Sequence, residues 1–122
     1  MPKLIFNGQE IADCTYTSGG GGGNYQSLDL DLVSDTYINS SGVEQSYNGW
    51  SSSDYVSMDG LSEIYVCGIT GGYNAWYDSS KVFISVANIS SGKALAVPSN
   101  AKYLRISDTT ANMSTTKILT EV

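Results

Sequence analysis

The chain is 122 residues long with a formal net charge of -6, two cysteines and no histidine. That length suits one domain with a modest core, and the six basic residues (Lys3, Lys81, Lys93, Lys102, Arg105 and Lys117) are too scattered in sequence to neutralise several phosphates, which excludes nucleic acid and anionic membrane surfaces as partners. Without histidine the commonest general base, the commonest metal ligand and every Ser-His or Cys-His nucleophile are missing. A glycosidase needs only two carboxylates, but a small chain with short loops builds no deep cleft, so no catalytic residue is assigned and a non-enzyme is expected.

Met1 to Cys14 lacks a basic start followed by an apolar stretch of about 7 to 15 residues, so no signal peptide is expected and synthesis is assigned to a cytoplasm. No run approaches the roughly 20 apolar residues of a membrane span, which argues against membrane insertion. Within Lys3 to Ile11, two apolar patches flank Asn7-Gly8, a strong short-range hairpin signal. An isolated hairpin is marginal in water, so this head is expected to dock onto something. Five glycines, Gly19 to Gly23, then follow Ser18 and read as a flexible joint. The chain accordingly divides into an N-terminal anchor at 1–18, a glycine linker at 19–24 and a body at 25–122.

The body opens on Leu28-Asp29-Leu30-Asp31-Leu32, whose strict alternation predicts a half-buried strand with leucines on one face. Asp29 and Asp31 project the same way and can bridge a calcium ion, with Asp35, Asp54, Asp59 and Asp108 as further oxygen donors. A solvated outer face explains the same pattern more simply, and no loop has the EF-hand order, so no cofactor is assigned and structural calcium is the one metal left open. Further strands are predicted at Tyr37–Asn39, Tyr55–Met58, Ser62–Ile69, Ala75–Tyr77, Val82–Val86, Ala94–Val97, Tyr103–Ser107 and Thr116–Leu119, with Ser-Gly, Asn-Gly, Asp-Gly and Pro-Ser-Asn turns between strands. Gly and Ser interrupt any helical period, so a helix can be a single turn at most. The pattern fits an all-β, antiparallel two-sheet jelly-roll β-sandwich. Val82, Ile84, Val86, Leu104 and Ile106 are predicted late core positions.

Cys67, in the apolar run from Ile64, reads as a small buried hydrophobe. A bridge to Cys14 requires the head to fold back on the body, and two cysteines alone define no framework. Seven aromatics, Tyr47, Trp50, Tyr55, Tyr65, Tyr73, Trp76 and Tyr77, crowd the middle of the chain. Sugar rings stack their C–H faces on Trp and Tyr while hydroxyls pair with Asp, Asn and Ser, so two segments stand out as carbohydrate-binding candidates. One runs from Tyr47 through Trp50 and Asp54 to Tyr55; the other runs from Tyr73 through Asn74 and Trp76 to Asp78. The competing reading is that these rings fill the core. Alternation puts Tyr73, Ala75 and Tyr77 on one face and Asn74 and Trp76 on the other, so they cannot all be internal.

Tyr47-Asn48-Gly49-Trp50, Ser53-Asp54-Tyr55-Val56, Asn74-Ala75-Trp76-Tyr77-Asp78 with Lys81-Val82-Phe83-Ile84-Ser85, and Val97-Pro98-Ser99-Asn100-Ala101-Lys102-Tyr103-Leu104-Arg105 follow one another between Ser40 and Ser107. This succession resembles the jelly-roll, carbohydrate-binding-like modules of phage tail and receptor-binding proteins. The resemblance implies a strand ending at Tyr77-Asp78, a turn, a Phe-Ile-Ser strand and a late core strand entered from Val97-Pro98.

It also implies a phage virion surface protein, of head-fibre, decoration or tail-associated type, made in the host cytoplasm and released on the virion by lysis. Residues 1–18 would then hold a phage capsid or tail protein. The body would hold a host-surface or mucosal glycan weakly and multivalently through Tyr47, Trp50, Asp54, Tyr73, Asn74 and Trp76, and self-association into a homo-oligomer is left open. The alternative is a purely structural capsid or tail decoration protein without a sugar site.

Overall fold

The computed structural model of the chain describes residues 3–6, 9–15, 25–28, 30–69, 73–89 and 94–121. The predicted glycine linker, the Asn7-Gly8 turn and Asp29 lie outside the described residues. In chain order the strands are β1 (Lys3–Phe6), β2 (Gln9–Thr15), β3 (Tyr25–Leu28), β4 (Leu32–Ile38), β5 (Glu44–Ser53), β6 (Val56–Ser57), β7 (Glu63–Cys67), β8 (Tyr73–Tyr77), β9 (Phe83–Val86), β10 (Ala94–Ala96), β11 (Tyr103–Thr109) and β12 (Lys117–Glu121). A single helical turn, α1 (Thr110–Met113), precedes the last strand, and the Thr109 hydroxyl caps it by accepting from the Asn112 N–H.

β1 and β2 pair with each other, Phe6 opposite Gln9. The rest form two antiparallel sheets, one in the order β10-β7-β12-β3 and a larger one in the order β4-β5-β11-β8-β9, with β6 also on β11. Their facing sides share one core. Leu104 and Ile106 of β11 and Trp76 of β8 meet Ile64 and Val66 of β7 and Ile118 of β12, closed in by Val56, Met58, Ile69, Ala101 and Met113. Period-two alternation makes this possible, because every second side chain of a strand leaves on the same face. On β11 it sends Leu104 and Ile106 inward and Arg105 and Ser107 to the opposite side.

Two sequence expectations need correction. Leu28 to Leu32 is not one strand: β3 ends at Leu28 in the smaller sheet and β4 begins at Leu32 in the larger. Leu28 and Leu30 pack on the core, but Leu32 is exposed; the alternation recorded burial along a crossover. Among the late core positions Leu104 and Ile106 are fully buried and Ile84 packs on the core, whereas Val82 and Val86 are exposed. A register shift between the pairs Trp76–Ser85 and Tyr77–Phe83 leaves Ile84 out of the ladder, so alternation fails along β9, which is the edge strand. Cys67 is buried, as expected, but it is disulfide-bonded and not a free thiol. Cys14 is the only other cysteine in the sequence.

The larger sheet covers its own outer side. Along β4 and β5, Ser34 faces Ser51 but Thr36 faces Ser46, so Tyr47 to Trp50 are looped out of the β4–β5 ladder, while Trp50 still faces Thr109 of β11. Asp35, with φ 57°, and Gly49, with φ 88°, make the bend, and the Asp35 carboxylate accepts from the Gly49 N–H at 3.3 Å. Beyond this elbow the hairpin tip lies over β11 and β8. Ile38 N–H donates to Ser107 Oγ at 3.1 Å, Tyr77 Oη donates to the Gly42 carbonyl at 2.6 Å, and Arg105 pairs with Glu44. Gly42 combines a φ of 76° with a close approach, since a Cβ there would lie 2.3 Å from the Phe83 ring. Ile38, Ala75 and Tyr77 thus form a second, smaller core beneath the tip, flanked by Tyr55, Phe83 and Tyr103.

Candidate functional site

The elbow of the hairpin brings together residues that are distant in sequence. Tyr37 lies on the bent part of β4, Tyr47 and Trp50 on the looped-out segment of β5, and Tyr73 at the start of β8. Their rings form a continuous group: Tyr37 contacts Tyr47 at 5.4 Å between centroids, Tyr73 at 5.6 Å and Trp50 at 6.3 Å. Trp50 in turn meets Tyr47 at 5.9 Å and Tyr73 at 5.8 Å. Edge-on and tilted contacts of this kind orient each ring against its neighbours. About half of Tyr47 (53%) and Tyr73 (50%) remains exposed, and Tyr37 and Trp50 are half-buried.

Local chemistry explains why the group stays open. A regular ladder would have placed Tyr47 and Trp50 on alternating positions of a paired strand, but the bulge re-aims both. Thr36 Oγ1 donates to the Val33 carbonyl at 2.8 Å and lies in hydrogen-bond contact with Ser52 Oγ at 3.0 Å, tying the elbow on its buried side. At the rim, Tyr37 Oη donates to Gln45 Oε1 at 3.0 Å. Ser107 Oγ donates to the Tyr73 carbonyl, which fixes the base of that ring. Gln45, Asn48 and the Asp35 carboxylate are among the exposed polar groups on the segments that carry the rings.

Three of the six residues expected to bind sugar, Tyr47, Trp50 and Tyr73, meet in this patch. Asn74 and Trp76 do not. They project from β8 toward the sandwich core, at 3% and 4% exposure, and Asn74 Oδ1 accepts from the Ser107 N–H at 3.3 Å. Asp54 is exposed but follows the far end of β5, and its carboxylate accepts from the Tyr55 N–H. Tyr37 joins the patch with little signal in the sequence beyond its place in a predicted strand two residues after Asp35, a residue type that tolerates positive φ. Among the described residues no three or more Cys, Asp or Glu side chains are grouped to hold a metal ion, and Asp29, half of the expected calcium pair, lies outside the described residues.

A second aromatic group, Tyr55, Tyr77, Tyr103 and Phe83, sits under the hairpin tip and beside it. Burial pushes the Tyr77 phenol up to about 12, with the nearby Arg105 charge pulling the other way. At neutral pH it therefore stays an O–H donor to Gly42. The buried Arg105 donates from Nε to the Ser53 carbonyl at 2.9 Å and from Nη2 to Glu44, and its guanidinium lies 4.8 Å from the centre of the Tyr55 ring.

No protein-family model matches the chain, and comparison with curated proteins and with solved structures finds no match. The chemistry of the patch is thus the ground for a functional reading.

Proposed function

We propose that the protein is a non-enzymatic adhesion module of a phage virion surface, holding host-surface or mucosal glycans weakly through the patch of Tyr37, Tyr47, Trp50 and Tyr73. The observation that carries this reading is a contiguous group of four aromatic rings at a bulge, Tyr47 and Tyr73 exposed and Tyr37 and Trp50 half-buried, with Gln45, Asn48 and Asp35 on the same segments. Rings held by their neighbours offer stacking faces at low entropic cost, and the amide and carboxylate groups exchange hydrogen bonds with sugar hydroxyls. An affinity on the order of 0.1 to 1 mM per site follows from one or two stacked rings and a few exchanged hydrogen bonds. Many copies on one particle multiply it by avidity.

The finer fold assignment belongs to the same reading. Going along the body, the chain visits the smaller sheet at β3, the larger at β4 and β5, then the smaller at β7, the larger at β8 and β9, the smaller at β10, the larger at β11 and the smaller at β12. This alternation, with the first and last strands of the body adjacent as β3 and β12, supports a jelly roll in which the β4–β5 hairpin elaborates one strand. The disulfide at Cys67 supports a working place outside a reducing cytosol, in keeping with a virion released by lysis. Residues 1–18 would supply the attachment to a capsid or tail protein.

The test is a glycan array probed with the multimerised full chain beside Trp50→Ala and Tyr47→Ala variants of unchanged melting temperature. Binding that both variants abolish supports the proposal. Binding to no glycan, or binding indifferent to both rings, replaces it with a purely structural decoration protein.

A further inference from the structure

We propose a second ligand site, for the carboxylate of an acidic sugar such as a hexuronate, in the groove that Lys102 and Tyr103 line, with the Lys81 ammonium over the Tyr103 ring. This site is separate from the aromatic patch and does not depend on the reading of the patch. Lys102 and Tyr103, with Ser57, Asp59 and Ser79, line a cavity of about 310 Å³, at the lower end of the sizes typical of small-molecule sites, roughly 300 to 1,000 Å³. The lining offers an ammonium group, a phenol ring, two hydroxyls and one carboxylate. An ammonium donates to the hydroxyls of any sugar, but a uronate carboxylate that takes the place of Asp59 on Lys102 gains a charge-assisted bond, with its ring face toward Tyr103 and its hydroxyls toward Ser57, Ser79 and Asp59.

Lys81 adds the second charge by an unusual backbone. The Asp78 carboxylate accepts from the Ser80 N–H at 2.8 Å and the Val82 N–H at 3.0 Å, and the Lys81 N–H donates to the Asp78 carbonyl at 2.9 Å. This turn holds Lys81 at a φ of 64°, uncommon for a residue with a side chain. The result is an ammonium 5.0 Å from the centre of the Tyr55 ring and 5.4 Å from that of Tyr103. Lys81 is an exposed residue whose charge lies against the two rings.

Lys102 is equally available. Its pairing with Asp59 is long, at 4.0 Å, with the two side chains 45% and 84% exposed, and such surface pairs are worth little and exchange readily. Three of the chain's six basic residues (Lys81, Lys102 and Arg105) collect around Tyr55 and Tyr103, an accumulation that the scatter of basic residues in sequence hides. Arg105 is occupied by Glu44 and Ser53, which leaves the two lysines for a ligand.

The experiment is a nitrogen-15 NMR titration of the full chain with sodium glucuronate, beside sodium acetate and methyl glucoside. Saturable shifts confined to the amides of Ser57, Asp59, Ser79, Lys81, Lys102 and Tyr103 are expected with glucuronate. They should be about tenfold weaker in affinity in Lys102→Gln and in Lys81→Gln, each losing one charge-assisted contact, and unchanged in Trp50→Ala. Equal shifts with acetate mean an adventitious ion only and overturn the proposal. Equal shifts with methyl glucoside, no saturable shift, or full affinity in both lysine variants overturn it as well. Because Trp50→Ala leaves this site intact, failure here and failure of the patch are told apart.

Discussion

Two aromatic groups of four rings each lie on one side of the larger sheet, and they differ in what covers them. In the patch, Tyr37, Tyr47, Trp50 and Tyr73 pack at centroid separations of 5.4 to 6.3 Å. In the covered group, Tyr55, Tyr77, Tyr103 and Phe83 pack at 5.0 to 6.3 Å. The ring geometry is therefore the same. In the covered group Tyr77 is buried under the hairpin tip, with Tyr55, Phe83 and Tyr103 half-buried around it and Arg105 and Lys81 against Tyr55, whereas the patch lies at the bulge where the tip turns away, with Tyr47 and Tyr73 exposed and Tyr37 and Trp50 half-buried. Packed rings stabilise a fold when a roof excludes water, and become a recognition surface when the backbone bends to leave them bare.

This contrast can be broken from the covered side. Arg105→Met is expected to cost about 3 kcal/mol, because it removes a buried charge that satisfies Glu44 and the Ser53 carbonyl and braces Tyr55. Urea unfolding checks this, and a loss under about 1 kcal/mol would show that the roof does not rest on Arg105.

A smaller effect sharpens the same point through pH. Tyr77 titrates near 10 when unfolded and near 12 when folded, so the unfolded chain releases its proton first as pH rises. The stability tied to this phenol is complete below pH 10 and is lost between pH 10 and 12, by about 2 kcal/mol. Denaturation followed across that window in the wild type and in Tyr77→Phe should show the wild-type decline flattened in the variant. Parallel declines would place the titrating group elsewhere.

The smallest stability effect belongs to the open patch. Trp50→Ala should change unfolding free energy by less than about 1 kcal/mol, since a half-exposed ring leaves no sealed cavity. A loss of 3 kcal/mol or more would mean that the patch is core after all.

Much of the fold was legible in the sequence, for reasons tied to particular residues. Turn dipeptides and short β-rich runs marked the strands, and the alternation about Leu104 and Ile106 gave the inner face of β11 correctly. The bends were not legible. No strand is expected between Asn39 and Tyr55, yet Glu44–Ser53 is a ten-residue strand with a bulge; its buried residues, Ser51, Ser52 and Ser53, are polar and leave no apolar alternation to read. At the candidate site the sequence separated exposed from buried rings only halfway. It placed Tyr73 opposite Trp76 on β8, but could not tell which face looked outward, and nothing local tied Tyr37 to Tyr73. That juxtaposition depends on where the hairpin elbow falls, a consequence of Asp35 and Gly49 acting together across two strands. Trp76 and Asn74 lie on the inward face of β8, which the alternation alone could not identify.

The central claim, that the patch around Trp50 binds while the buried Trp76 supports the core, is tested most directly by the two indole N–H signals in a proton–nitrogen NMR titration with neutral mono- and oligosaccharides. The account expects the Trp50 signal to shift saturably with at least one saccharide while that of Trp76, at 4% exposure, stays in place. A Trp50 signal unmoved by every saccharide, or a shift at Trp76 alone, would contradict it.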